Sequence, residues 1–238
     1  MKLKALLGIT LASCSLQTLA AAPSDAGISQ EDKLSYSLGA VMAEQLKQFD
    51  GVNADALSQG IKDILNNKPA QVDHQEMFKL IEEARQAQEG KMQEKIQAEA
   101  SKNLEAGQKF LADNAKKPGI KILDSGLQYR VLKTGKGEKP AETDEVVVHY
   151  EGRLLDGKIF DSSYERKEPA NFRLNQVIRG WTEGLKQMPK GSQWELYIPS
   201  DMAYGPSGIP GRIGPNSVLV FKVELLDVKK DNDKKLEG

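Results

Sequence analysis

Val218-Leu-Val-Phe-Lys-Val-Glu-Leu225 is the stretch on which the fold turns. Leu219, Phe221, Val223 and Leu225 recur at every second position, the spacing that places side chains on one face of a β-strand. The same alternation runs through Gln193-Trp-Glu-Leu-Tyr-Ile198, where Trp194, Leu196 and Ile198 share a face. It runs also through Leu127-Gln-Tyr-Arg-Val-Leu132, Val146-Val-Val-His-Tyr150 and Asn171-Phe-Arg-Leu174. One short helix, from Val177 to Met188, interrupts these strands. Strands with one apolar face and a single helix to cover it predict a twisted antiparallel sheet wrapped on that helix.

Upstream of Lys117-Pro118-Gly119 the character changes. Ten of the fourteen aromatic residues and seven of the ten prolines lie after Gly119, so the dense, turn-rich core belongs to the second half. The first half reads as helix. Ser29 caps a first amphipathic segment carrying Leu34, Leu38, Val41, Met42, Leu46 and Phe49, which Asp50-Gly51 ends. Asn53 caps a second with Leu57, Ile61, Ile64 and Leu65 as its stripe. Two helices this short have apolar surface and little behind it, so another copy of the chain is expected to cover them. Asp73-x-x-Glu76 is a capping box, and nothing from His74 to Ala115 breaks the helix except the tolerable Gly90 and Gly107. A helix of that length would extend roughly 60 Å. Its start carries Met77, Leu80, Ile81 and Ala84, whereas Gln86 to Lys102 is mostly Gln, Glu, Lys and Ala and reads as a spacer solvated on all sides. Too few a and d positions are filled for a sustained coiled coil. Phe110 and Leu111 are the expected contacts with the sheet.

Composition removes whole classes of function. The 238 residues carry 33 Lys and Arg against 34 Asp and Glu, a net charge of −1, so no global positive field exists to hold a nucleic acid. Mean hydropathy of −0.50 excludes a polytopic membrane protein. One cysteine and two histidines exclude a disulfide framework, a cysteine-rich zinc module and a thiol–imidazole pair among several cysteines. His74 and His149 have no second-ligand spacing, so no metal is expected. Met1-Lys-Leu-Lys4, the apolar run Ala5 to Ala12 and the small residues Ala20 to Ala22 read as a secretory signal peptide over 1–22, removed to leave a soluble periplasmic protein. Leu11-Ala12-Ser13-Cys14 offers a second route, lipidation at Cys14 and association with the outer membrane. Lys229 to Gly238 is a charge run with nothing to bury, read as disordered over 231–238.

Val148-His-Tyr-Glu-Gly152, Gly157-Lys-Ile-Phe-Asp-Ser-Ser163, Val177-Ile-Arg-Gly-Trp-Thr-Glu-Gly184, Met188-Pro-Lys-Gly191, Ile198-Pro199 with Ala203-Tyr-Gly205, and Leu219-Val-Phe221 follow one another in the order and spacing of FKBP-type peptidyl-prolyl isomerases. The resemblance spans Leu127 to Val228. With Asp32-Lys-Leu-Ser-Tyr-Ser-Leu-Gly39 opening the helical half, the whole chain resembles the exported macrophage infectivity potentiator branch of that family. The resemblance implies an α+β protein: an antiparallel half-barrel sheet on a short helix over 118–230, preceded by a helical dimerisation region over 23–72 and a long connecting helix over 73–117.

It also implies an apolar pocket of Tyr150, Phe160, Asp161, Val177, Ile178, Trp181, Tyr204, Ile213 and Phe221. In that pattern Trp181 is the floor for a proline ring and Tyr150, Phe160 and Phe221 are walls. The Tyr204 hydroxyl and the Ile178 backbone N–H donate to substrate carbonyls, and Asp161 sits at the rim. Asp161 and Tyr204 are the expected catalytic residues, and no cofactor is required. Gly205 to Gly214, where Pro206 and Pro210 remove amide donors, reads as a flap over the pocket rather than a phosphate cradle. Ala170 and Ile209 stand where many relatives have an aromatic residue and a histidine, which bears on peptide preference and macrolide affinity. The expected partners are proline-containing, unfolded or partly folded exported polypeptides, a second copy through the N-terminal helices, and macrolides as inhibitors. A holdase chaperone that grips clients in a dimer cleft, with the isomerase secondary, is the alternative from another class.

Overall fold

The computed structural model describes residues 28–230. The expected signal peptide, with Cys14, and the expected tail at 231–238 lie outside the described residues. The chain forms two compact units, one ending at Arg85 and one beginning at Gln86.

In the first unit, α1 (Gln30–Leu46) begins where the Ser29 hydroxyl accepts from the Asp32 N–H at 3.1 Å. Helix α2 (Ala54–Leu65) begins where Asn53 Oδ1 accepts from the Ala56 N–H at 2.9 Å. Each side chain satisfies a first-turn amide that has no partner within the helix. Helix α3 (His74–Asn114) starts on Asp73, whose Oδ1 accepts from the amides of Gln75 and Glu76. The apolar stripes of this unit are uncovered: Leu34, Leu38, Val41, Ile64, Leu65, Phe78 and Ile81 are all exposed.

The second unit is a seven-stranded antiparallel sheet in the order β1-β2-β6-β7-β3-β4, with β5 also paired to β3. Its strands are β1 (Ile120–Ile122), β2 (Gln128–Lys133), β3 (Glu145–Arg153), β4 (Ile159–Ser162), β5 (Ala170–Arg173), β6 (Gln193–Ile198) and β7 (Leu219–Lys229). The register sets Tyr150 opposite Val223, Gly152 opposite Phe221 and Leu196 opposite Phe221 across β3, β7 and β6. That register puts the alternating residues Leu219, Phe221, Val223 and Leu225 on the core face, with Val146, Val148, Tyr150, Trp194, Leu196 and Ile198. Each fully buried Leu or Ile there contributes about 1.5–3 kcal/mol relative to exposure.

The structure differs from the sequence reading in three places. The helix expected from Val177 to Met188 is shorter: α4 covers Arg179–Leu185, because Val177 is extended at φ −108° and ψ 174° and Leu174–Gln176 forms a tight turn before it. Strands β1 and β4 were not expected, since three and four residues are too few to show a period. The stretch from Gln86 to Lys102 is not solvated on all sides, because Ala100 is buried. Farther along α3, Asn114 Nδ2 donates to Gln128 Oε1 at 3.0 Å and Gln128 Nε2 donates to the Leu111 carbonyl at 2.9 Å. Phe110 lies 5.9 Å from the Tyr197 ring. Tyr197 and Glu195 face away from the core on β6, and Glu195 is held by Arg130, Arg153 and the Tyr197 hydroxyl.

Candidate active site

The concave face of the sheet and α4 enclose a cavity of about 420 Å³. Trp181, the third residue of α4, lies beneath it as the meeting point of three rings. Tyr150, Phe172 and Phe221 stand edge-on to it at 5.1, 5.3 and 5.2 Å between centroids. Phe160 meets Phe221 edge-to-face at 5.5 Å. Aromatic pairs favour this geometry, and it locks the walls at low entropic cost. Gly152 makes the approach of Phe160 and Phe221 feasible: a Cβ there would sit 2.6 Å from one ring and 2.7 Å from the other. Val177 and Ile178, in the extended turn before α4, and Gln176 complete one side. The Trp181 indole N–H is buried with no hydrogen-bond partner among the described residues.

At the rim is one charged cluster. The Tyr150 hydroxyl donates to Asp161 Oδ2 at 2.6 Å, Arg166 Nη1 donates to Oδ1 at 2.6 Å, and Arg166 Nη2 donates to the Tyr150 oxygen at 2.8 Å. Burial pushes the Asp161 pKa up, but the Tyr150 hydroxyl, the Arg166 guanidinium and the charge of Arg212 outweigh it and hold the carboxyl below its usual value. Burial, then the bond to Asp161, raises the Tyr150 phenol. Tyr204 at the mouth is raised by burial first and the Asp161 charge second. An ionised carboxylate and two neutral phenols are therefore the state of the site at neutral pH.

Two family models cover the described residues almost end to end. Residues 136–226 match the FKBP-type peptidyl-prolyl cis-trans isomerase, and residues 31–131 match the domain amino terminal to FKBP-type peptidyl-prolyl isomerase. The chain belongs to the FKBP-type peptidyl-prolyl isomerase family. The "Outer membrane protein MIP" of Legionella longbeachae is 38% identical over 97% of this chain and 99% of its own length. The "Peptidyl-prolyl cis-trans isomerase Mip" of Coxiella burnetii is 44% identical over 84% and 88%. Among solved structures, FkpA from Escherichia coli superposes with a TM-score of 0.68 at 41% identity, over 84% of this chain and 97% of that one.

Eight of the nine site residues expected from the FKBP pattern line the one cavity: Tyr150, Phe160, Asp161, Val177, Ile178, Trp181, Tyr204 and Phe221. Ile213 does not line it. It is buried in the same core cluster as Tyr150, Trp181 and Phe221, and its amide and carbonyl pair with those of Ile209. Phe172 and Gln176 also line the cavity, and Arg166 and Arg212 bind its rim, four residues that the motif spacing does not mark. Phe172 was legible, since the strand alternation that placed Asn171 to Leu174 also gives it a face. Arg166 lies in the charged turn Tyr164-Glu-Arg-Lys-Glu168, and no period or spacing marks its pairing with Asp161. Arg212, in the flap, donates to the Phe160 carbonyl on β4 at 2.7 Å, a contact across 52 residues of chain that pattern alone does not reveal.

Proposed function

We propose that this FKBP-type chain accelerates cis–trans isomerisation of X-Pro bonds in polypeptides folding in the bacterial envelope, without covalent chemistry or a cofactor. The observation that carries the reading is the aromatic cavity over Trp181 with Tyr204 at its mouth and ionised Asp161 at its rim. Amide resonance maintains an X-Pro barrier of about 18–20 kcal/mol, so the catalyst must favour the twisted state in which that resonance is lost. The planar amide is the more polar of the two, and a dry, aromatic-walled pocket disfavours it relative to the twisted one.

The roles follow from position. Trp181 receives the proline ring, and Tyr150, Phe160, Phe172 and Phe221 enclose it. Tyr204 and the Ile178 N–H donate to substrate carbonyls and fix the chain's direction. Asp161, kept ionised and immobile by Tyr150 and Arg166, faces the amide carbonyl as it rotates out of plane. The exposed stripes of α1, α2 and the start of α3 pair with those of a second copy, making the protein a homodimer. Export to the periplasm, with Cys14 lipidation as the other processing route, agrees with the printed name of the Legionella relative. Among the described residues no helix is long and apolar enough to cross a membrane. No specific observation favours the holdase reading over the isomerase.

Protease-coupled isomerisation of a short X-Pro peptide, with and without a macrolide, tests the proposal. The expected result is turnover that the macrolide abolishes by occupying the same cavity. Absence of turnover from the folded protein would leave the cavity a binding module.

A further inference from the structure

We infer that α3 positions the catalytic flap: Asn103, acting with Asn216, fixes the segment that carries Tyr204. This inference rests on the isomerase reading for its effect on turnover, but the contacts behind it do not. Asn103 Nδ2 donates to the Pro215 carbonyl at 2.9 Å. In return, Asn216 Nδ2 donates to the Ala100 carbonyl at 3.3 Å, one turn earlier on the same helix. The backbone N–H of Asn216 donates to the Gly205 carbonyl at 2.8 Å, the residue that follows Tyr204. One residue therefore touches α3 with its side chain and the base of the flap with its backbone.

The rest of the contact is shaped for close approach. A Cβ on Gly107 would fall 2.7 Å from Val218 Cγ2, so a glycine in α3 lets the helix lie against the start of β7. Pro215 and Val218 are buried there, as is Ala100 of α3 itself. Asn216 sits at φ +54°, a conformation that asparagine tolerates better than most residues. The residue type is thus constrained twice, by its backbone and by its amide.

Between Gly205 and Ile213 the flap is held mainly by its own turns. The Gly208 N–H donates to the Tyr204 carbonyl at 3.2 Å, and Ile209 and Ile213 exchange backbone hydrogen bonds at 2.7 and 2.8 Å. Besides the buried Ile213 side chain, its outside anchors are the hydrogen bonds of Arg212 to the Phe160 carbonyl on one side and of the Asn216 junction on the other. Arg212 is exposed and competes with water, whereas the junction on α3 is partly buried. Buried hydrogen bonds hold geometry better than solvated ones. Asn103 and Asn216 are therefore positioning residues: neither lines the cavity, and each acts through the placement of Tyr204.

The test uses the full-length mature protein. Asn103→Asp keeps the side chain's shape, removes the donor and sets a carboxylate against the Pro215 carbonyl. It is expected to raise KM for an X-Pro peptide about fivefold with kcat within about twofold, the pattern for loss of binding shared by ground and transition states. Exchange of the Ile209 and Ile213 amide hydrogens should quicken about tenfold, as expected where local opening becomes easier. Asn216→Gly, which retains the backbone conformation and loses only the amide, should shift both readouts the same way even if the aspartate variant is poorly folded. Asn114→Ala removes the Gln128 contact farther along α3 and should lower Tm with KM and flap exchange unchanged. The inference is overturned if Asn103→Asp and Asn216→Gly keep wild-type KM and exchange, or if Asn114→Ala changes KM and flap exchange as much as they do. A wild-type protein with no turnover sinks the isomerase reading instead, and the exchange rates alone then decide whether α3 fixes the flap.

Discussion

The two units handle apolar side chains in opposite ways. In the sheet unit Leu127, Leu174, Leu185, Leu196, Ile198, Leu219 and Leu225 are completely removed from water. In the helical unit Leu65 remains 77% exposed, Phe78 70% and Leu34 67%. The difference is one of layers rather than composition. A seven-stranded sheet curls around α4 and supplies both sides of its own core, whereas α1 and α2, with 17 and 12 residues, supply only one. The sheet unit therefore closes its own core, and the helical unit leaves its apolar stripes at the surface. A second copy laid on that surface would bury side chains worth about 1.5–3 kcal/mol each.

The sharpest way to break the comparison is to charge the exposed stripes. Leu34→Glu with Ile64→Glu would place two unpaired carboxylates in the proposed interface and weaken association by about a thousandfold or more, since unpaired buried charges cost several kcal/mol. Light scattering should show a dimer for the wild type and a monomer for the variant, with turnover of a short peptide unaltered. A wild type that is monomeric at micromolar concentration removes the dimer.

The next effect lies in the sheet unit. Asp161→Leu combined with Tyr204→Ala should lower kcat/KM about a hundredfold, the scale for deleting preorganised polar groups at a reacting centre. Circular dichroism should be unchanged, because Arg166 can turn to water and Tyr204 is already partly exposed. Retention of full turnover by the folded variant would place the chemistry elsewhere.

Glu195 tests whether stability and site can be separated. It lies on the outer face of β6 with Arg130, Arg153 and Tyr197, far from any role in the cavity. Glu195→Gln should cost about 2 kcal/mol in denaturant unfolding and leave kcat/KM within about twofold. Burial raises the Glu195 pKa, but the Tyr197 hydroxyl and the two guanidiniums outweigh it, so the folded value is lowered. Its contribution is therefore full above the unfolded value of about 4.3 and is lost as pH falls through the folded one. Wild type should lose stability in that acid window and the variant should lose less. The Tyr197 phenol, pushed up to about 12 mainly by burial and then by Glu195, stays neutral throughout.

The smallest expected effect is on pH dependence. With Asp161 lowered and Tyr150 and Tyr204 raised, kcat/KM should be flat from about pH 6 to pH 9. A bell with an apparent pKa inside that range would mean that another group governs turnover.

Most of the sheet was legible because β3, β6 and β7 alternate in sequence over six or more residues, even though β6 is buried on both faces. The cavity walls were legible for a different reason: the joint spacing of Tyr150, Phe160, Trp181, Tyr204 and Phe221 resembles one family. Taken singly, each would have read as an ordinary core aromatic. What escaped was set by tertiary geometry. Arg166 reaches Asp161 from a charged turn, Arg212 reaches the Phe160 carbonyl from the flap, and Ala100 is covered only because the residues before β7 return to α3. None of these leaves a period in the sequence, since each depends on where a loop comes to rest.

The central claim is that the Trp181 cavity itself catalyses rotation about the X-Pro bond. Exchange NMR on a short X-Pro peptide with a substoichiometric amount of the protein tests this without a coupling protease. Uncatalysed isomerisation takes tens of seconds or longer at 25 °C. The account predicts cis–trans exchange peaks at sub-second mixing times, lost with Asp161→Leu and Tyr204→Ala together. A folded wild-type protein that gives no exchange peaks, or a double variant that gives them undiminished, would contradict it.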